Sequence, residues 1–181
     1  MGRRTWAILA TLGLTVPISA VITAAPTAAA PVLIPLDCEA TTPIGGQAAD
    51  QDIAFDTTAP AQVLNSTLFT VSATAPAGTI PSDFGGYTVG YVKDFRIKIP
   101  VPANSTYSGS SLSGGTVSGT VGLVGSNVQV DIPGPIAGGA SYQFPTVNVD
   151  LTSSGVDGAL IQPKIGGTSF ANPGFELTAR F

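Results

Sequence analysis

The chain has 181 residues, one cysteine, no histidine and a formal net charge of −4, and only 10% of its residues are charged. That length leaves room for one domain once a leader is set aside. The missing imidazole removes the usual general base near neutral pH, and with it Ser-His-Asp triads, Cys-His dyads and most zinc sites.

Residues 1–30 read as a secretory signal peptide with a helical, apolar centre. Arg3 and Arg4 precede an uncharged stretch at 5–30, apolar at 6–14 and 16–22, and the small residues at 23–30 suit a signal peptidase. Cleavage is expected a residue or two before Pro31. Pro17 and the short apolar run argue against a retained membrane anchor. The Arg3-Arg4 pair lacks the flanking residues of a twin-arginine signal, which favours the general secretory route.

Without the leader, five bases (Lys93, Arg96, Lys98, Lys164, Arg180) stand against eleven acids, a net of −6. Such a balance excludes nucleic acid, whose phosphates need clustered Lys and Arg, and disfavours anionic membrane surfaces. The expected address is extracellular or the cell envelope, and the protein is not expected to be integral to a membrane after cleavage. Cys38 has no partner in this chain, so its alternatives are a free thiol, an intermolecular bond or a disulfide to a cysteine elsewhere. Asp37 and Leu36 before Cys38 do not fit a lipoprotein signal.

Residues 31–181 form one domain of short apolar-alternating runs separated by Gly, Pro, Ser and Asn. The spacing predicts nine strands, at 32–36, 52–57, 67–73, 87–99, 116–124, 127–132, 142–151, 159–164 and 174–181. In 87–99, Val89, Tyr91, Phe95, Ile97 and Ile99 are assigned one face, and Asp94, Arg96 and Lys98 the other. Val128, Val130 and Ile132 share a face, as do Phe175, Leu177, Ala179 and Phe181. Pro145 predicts an edge position or a bulge. Ser108-Gly109, Gly114-Gly115, Gly125-Ser126, Gly138-Gly139 and Gly166-Gly167 read as turns. The expected fold is all-β: an immunoglobulin-like antiparallel sandwich of Greek-key type, with about 7–9 strands.

Chemistry-bearing residues are few. Asp50, Asp52 and Asp56 form the densest acidic group; they are candidate oxygen ligands for Ca²⁺ or, more plainly, a solvated strand face. Asp94, Arg96 and Lys98 form a charged stripe that could bind an acidic glycan or phosphate, pair with neighbouring strands, or keep an edge strand soluble. No cofactor motif is present. Asn65-Ser66-Thr67 and Asn104-Ser105-Thr106 match the N-glycosylation pattern, which matters only in a eukaryotic secretory route.

The segments Val101-Pro102-Ala103-Asn104-Ser105-Thr106, Ser111-Leu112-Ser113-Gly114-Gly115, Ile132-Pro133-Gly134-Pro135-Ile136-Ala137-Gly138-Gly139 and Pro145-Thr146-Val147-Asn148-Val149 follow one another in a familiar order. With Gly166-Gly167-Thr168-Ser169-Phe170 and Asn172-Pro173-Gly174, they resemble a family of secreted actinobacterial β-sandwich proteins across about residues 32–181. Most members have no known function, and some are labelled dehydratase or cyclase. The resemblance implies a fold and carries over no catalytic residue. It also implies a tail beyond Phe181 with a second cysteine, hence a partner for Cys38 outside this sequence and a domain truncated at its C-terminus.

These observations lead to a secreted or envelope protein with a non-catalytic surface or binding role, whose partner is an envelope component or another protein. Three alternatives stand beside it. One is a carrier whose sheets splay to hold a lipid or other apolar ligand. Another is a hydrolase or lyase using carboxylates from Asp50, Asp52, Asp56 or Asp94. The third is an outer-membrane β-barrel subunit, suggested by the alternating strand that ends in Phe181.

Overall fold

Period-two alternation builds two antiparallel sheets that bury their facing sides against each other. The computed structural model describes residues 26–28, 32–42 and 45–181; the rest of the predicted leader and its helix lie outside these. In chain order the strands are β1 (Pro26–Ala28), β2 (Val32–Thr42), β3 (Gly45–Pro60), β4 (Leu68–Thr74), β5 (Gly78–Thr79), β6 (Asp83–Phe84), β7 (Tyr87–Thr88) and β8 (Tyr91–Pro100). They continue as β9 (Ser105–Ser113), β10 (Thr120–Val124), β11 (Asn127–Ile132), β12 (Ile136–Ala137), β13 (Ser141–Tyr142), β14 (Thr146–Ser153) and β15 (Phe175–Arg180). The described residues contain no helix.

The first sheet runs β3-β4-β14-β9, with β1 and β2 both pairing β3. The second runs β10-β11-β8, with β12 following β11 along β8 and β15 on the other side of β8. β9 and β10 lie close together and close one side of the sandwich. Going round that side, β9, β10 and β11 are successive and β11 lies beside β8, which is a Greek-key arrangement. Two small ribbons, β5–β13 and β6–β7, sit outside the main sheets.

The core comes from the inward positions of four strands: Val71 on β4, Phe95 and Ile97 on β8, Val128, Val130 and Ile132 on β11, and Val147, Val149 and Leu151 on β14. β11 and β14 alternate without a slip. One polar side chain joins them: Ser153 Oγ donates to Leu64 O at 2.5 Å and accepts from Thr67 N at 3.1 Å, so its burial costs no lost hydrogen bond.

On its outer side the first sheet carries a hydroxyl and amide ladder. Thr70 meets Asp150 at 2.6 Å, Ser72 meets Asn148 at 2.8 Å and Thr74 meets Thr146 at 2.8 Å, while Asn148 also reaches Ser113 at 3.1 Å.

Several expectations are corrected. Residues 159–164 form no strand, and the strand foreseen at 116–124 begins only at Thr120. Ser108-Gly109 is no turn but lies within β9, where pairing with β14 supplies what a Ser- and Gly-rich segment lacks in propensity. The strands foreseen at 32–36 and 52–57 extend into one long hairpin, from Val32 opposite Phe55 to Thr42 opposite Gly45. Pro145 lies just before β14, which is flanked on both sides, so it marks neither an edge nor a bulge within that strand.

Face parity in β8 also fails at one point. Asp94 has φ of 55°, and Val92 and Phe95, three residues apart, both point inward at 6% and 4% exposure. The extra residue is a β-bulge, matched by the register shift in β15 between Glu176 and Thr178. Val92, not Tyr91, therefore shares the face of Phe95.

Candidate functional site: an apolar cleft between the sheets

The side of the sandwich opposite β9 and β10 stays open. Between β15 and β8 on one wall and residues 52–55 of β3 with the segment after β4 on the other lies a cleft of about 490 Å³. β15 contributes Phe175, Leu177 and Ala179, and Phe181 follows it, which is the apolar face expected from the alternation.

Aromatic rings furnish both ends. Deep in the cleft, Phe95 packs edge-on against Phe144 at 5.1 Å between centroids, Phe175 lies 6.5 Å from Phe95, and Tyr142 lies 4.8 Å from Phe144. At the mouth, Phe181 meets Phe84 and Tyr87, each at 6.4 Å. Phe84 is 50% exposed and Phe181 44%, so these rings present apolar surface to whatever enters.

Among the described lining residues, polar side chains belong to Asp52, Thr79 and Tyr142 alone. The hydroxyl of Thr79 is within 3.3 Å of that of Ser141. Tyr142 lies across Gly78, where an added Cβ would come within 2.8 Å of the phenolic oxygen. No hydrogen-bond partner for that oxygen occurs among the described residues, and burial pushes its pKa above the usual phenol range. It remains a neutral hydroxyl beside Gly78. A cleft of this size, mostly apolar with few polar groups, has the makeup of a small-molecule site.

The charged stripe resolves differently. Arg96 Nε donates to Asp131 Oδ1 at 2.7 Å and its Nη1 to Glu176 Oε1 at 2.8 Å, while Gln129 Nε2 donates to Asp131 Oδ2 at 2.8 Å. The two carboxylates, Asp131 foremost, raise the pKa of the guanidinium. Asp94 pairs with Lys93 at 2.9 Å. Asp94 and Arg96 line a shallow polar groove of about 440 Å³ with Asp131, Glu176 and Thr178; Lys98 does not line it. The stripe does not protect an edge strand, because β8 is paired on both sides. Arg96 is the hub of a cross-strand ion network, and its donors toward both neighbours are in use.

Of the candidate metal ligands, Asp52 and Asp56 are not brought together. Asp52 stands opposite Pro35 and Asp56 opposite Thr74. Four residues along an extended strand place them about 13 Å apart, too far to share an ion. The backbone of Asp50 pairs with Asp37 and that of Cys38 with Ala49; both side chains lie outside the described residues. No group of three or more His, Cys, Asp or Glu that could hold a metal occurs among the described residues.

Sequence reasoning foresaw the β15 wall of the cleft but not Phe84, Tyr142 and Phe144. The last two flank Gln143 just before β14, where alternation alone puts them in parity with the outward Thr146, Asn148 and Asp150. Compared with known proteins, the chain matches no family model and no curated protein.

Proposed function

We propose that this is an exported, non-catalytic β-sandwich domain that binds an apolar ligand in the cleft between its sheets. The reading rests above all on the cleft of about 490 Å³ and its aromatic lining. Exposed apolar surface gathered into a concavity is characteristic of binding sites rather than of a plain soluble surface. Export is inferred from the charge, apolar run and small residues of positions 1–30, and an envelope or extracellular address follows from it. No helix among the described residues is long and apolar enough to cross a membrane.

The carboxylate-enzyme alternative receives less support. Asp94, Asp131 and Glu176 share a groove, but each is paired with a cation, where proton transfer needs a carboxyl free to change protonation state. The alternation ending in Phe181, which suggested a barrel, here builds a wall of the cleft. The resemblance to secreted actinobacterial sandwich proteins agrees with this role and adds no chemistry to it.

Native mass spectrometry of the protein from its own host tests the reading. A bound apolar molecule that organic extraction removes is the expected result. A clean apo mass, together with no fluorescence gain from the neutral apolar dye Nile red, would refute it.

A further inference from the structure

Resting on that reading, we infer that the cleft selects its ligand by head-group charge: it takes an amphiphile with an uncharged or cationic head and discriminates against a carboxylate. Asp52 is the only charged residue among the described lining residues, and it is exposed at the end of the β3 wall. A second acid, Asp83, precedes Phe84 at the mouth and accepts a hydrogen bond from Gly86 N at 3.1 Å. Arg180, the nearest base in sequence to the mouth residue Phe181, alternates with Ala179 and Phe181 and does not line the cleft.

Among the described lining residues a head group therefore meets a carboxylate and no cation. Tyr142, the polar ring of the described lining, is neutral and supplies no compensating positive charge. At about 30 Å³ for each buried group, comparable to a water molecule, 490 Å³ accommodates a hydrocarbon body of about a dozen groups with room to spare.

The probes are dodecanol, dodecyltrimethylammonium and dodecanoate, each below its micelle concentration, displacing Nile red from the purified protein. Dodecanol and dodecyltrimethylammonium are expected to bind, and dodecanoate about three- to tenfold more weakly than dodecanol, as expected for partly screened charges at a protein surface. In the double variant Asp52→Asn/Asp83→Asn the gap between dodecanoate and dodecanol should fall below about twofold, for the same electrostatic reason. Dodecanol affinity should stay unchanged, which also reports that the variant is folded.

Dodecanoate binding as tightly as dodecanol, or a gap that survives the double variant, overturns the head-group selection and leaves the apolar cleft standing. Failure of all three probes overturns the cleft reading itself.

Discussion

Filling the cleft from within separates an open ligand site from an ordinary packed core. Ala179 lies on β15 with its side chain in the cleft wall and is exposed, so Ala179→Phe adds a ring to empty space. A phenylalanine side chain presents about 150–250 Å². If half of the added surface, about 60–70 Å², meets the facing walls, burial contributes about 1.5–2 kcal/mol at 25 cal/mol per Å². Fixing the new rotamer costs about 0.5–1 kcal/mol, which leaves a net gain near 1 kcal/mol and a rise in Tm of about 2–4 °C. The better strand propensity of Phe adds in the same direction.

For the ligand, the ring takes the place of about four methylenes at about 0.8 kcal/mol each. The loss of about 3 kcal/mol is more than a hundredfold in affinity. Urea unfolding of the apo protein and displacement of Nile red measure the two effects. A variant destabilised by 1 kcal/mol or more would mean that the space is already filled by the native walls. A stabilised variant that binds dodecanol as well as the parent would place the binding site elsewhere. Either result refutes the reasoning.

The remaining predictions concern the frame of the site. Leu151 is 1% exposed at the centre of the first sheet, and Leu151→Ala should cost about 3–4 kcal/mol in urea unfolding. Leu160→Ala, at a position 82% exposed, should stay within about 0.5 kcal/mol; equal losses would contradict the core assignment. Tyr142 has its pKa raised by burial, so the folded state holds its proton longer than the unfolded chain does. Its contribution to stability is present below the unfolded phenol value of about 10 and is lost as pH rises through the folded value, at no more than about 1.4 kcal/mol per pH unit. Tyr142→Phe should flatten that part of the alkaline stability curve, and a curve that it leaves unchanged would count against the partial burial of this side chain. At Gly138 an added Cβ would collide with the carbonyl oxygen of Val89, which lines the cleft. Gly138→Ala should therefore cost about 1–3 kcal/mol and speed amide exchange at residue 138, whose N–H donates to Gly90 O at 3.1 Å.

Much of the fold was legible because alternation is a direct record of burial. β11 and β14 were read nearly whole, since each inward position is Val, Ile, Leu or, at the end of β14, the hydrogen-bonded Ser153. Where the pattern depends on a backbone dihedral it could not be read: nothing in Lys93-Asp94-Phe95 announces that Asp94 takes a positive φ and shifts parity by one. β9 was invisible for a different reason. Its Ser and Gly residues have little intrinsic preference for a strand, and the segment is extended because β14 offers it a ladder broken only by a bulge at Ser108. Conversely, residues 159–164 have a tolerable strand composition but no neighbour to pair with. In the candidate site, pairing of Arg96 with neighbouring strands was one of the readings its alternation allowed, but the identity of its partners, Asp131 and Glu176, depends on strand order and register, which alternation does not encode.

The cleft itself follows from a difference between the two sides of the sandwich. Gly119, just before β10, lies so close to its sheet neighbour β11 that a Cβ there would meet Asp131 O at 2.7 Å, and the Leu112 side chain of β9 lies 3.4 Å from the same point. On the other side, Phe95, Tyr142, Phe144 and Phe175 stand between the sheets, with Phe84 and Phe181 at the rim. Four large rings meet in tilted and edge-on pairs at centroid separations of 4.8–6.5 Å. On the closed side the Leu112 side chain of β9 lies against the chain entering β10, and on the other side aromatic rings occupy the space between the sheets. The same kind of apolar residues that hold the sheets together at the centre thus line the cleft between them. A composition that reads as an ordinary core consequently produces a site, and only the placement of its rings distinguishes the two.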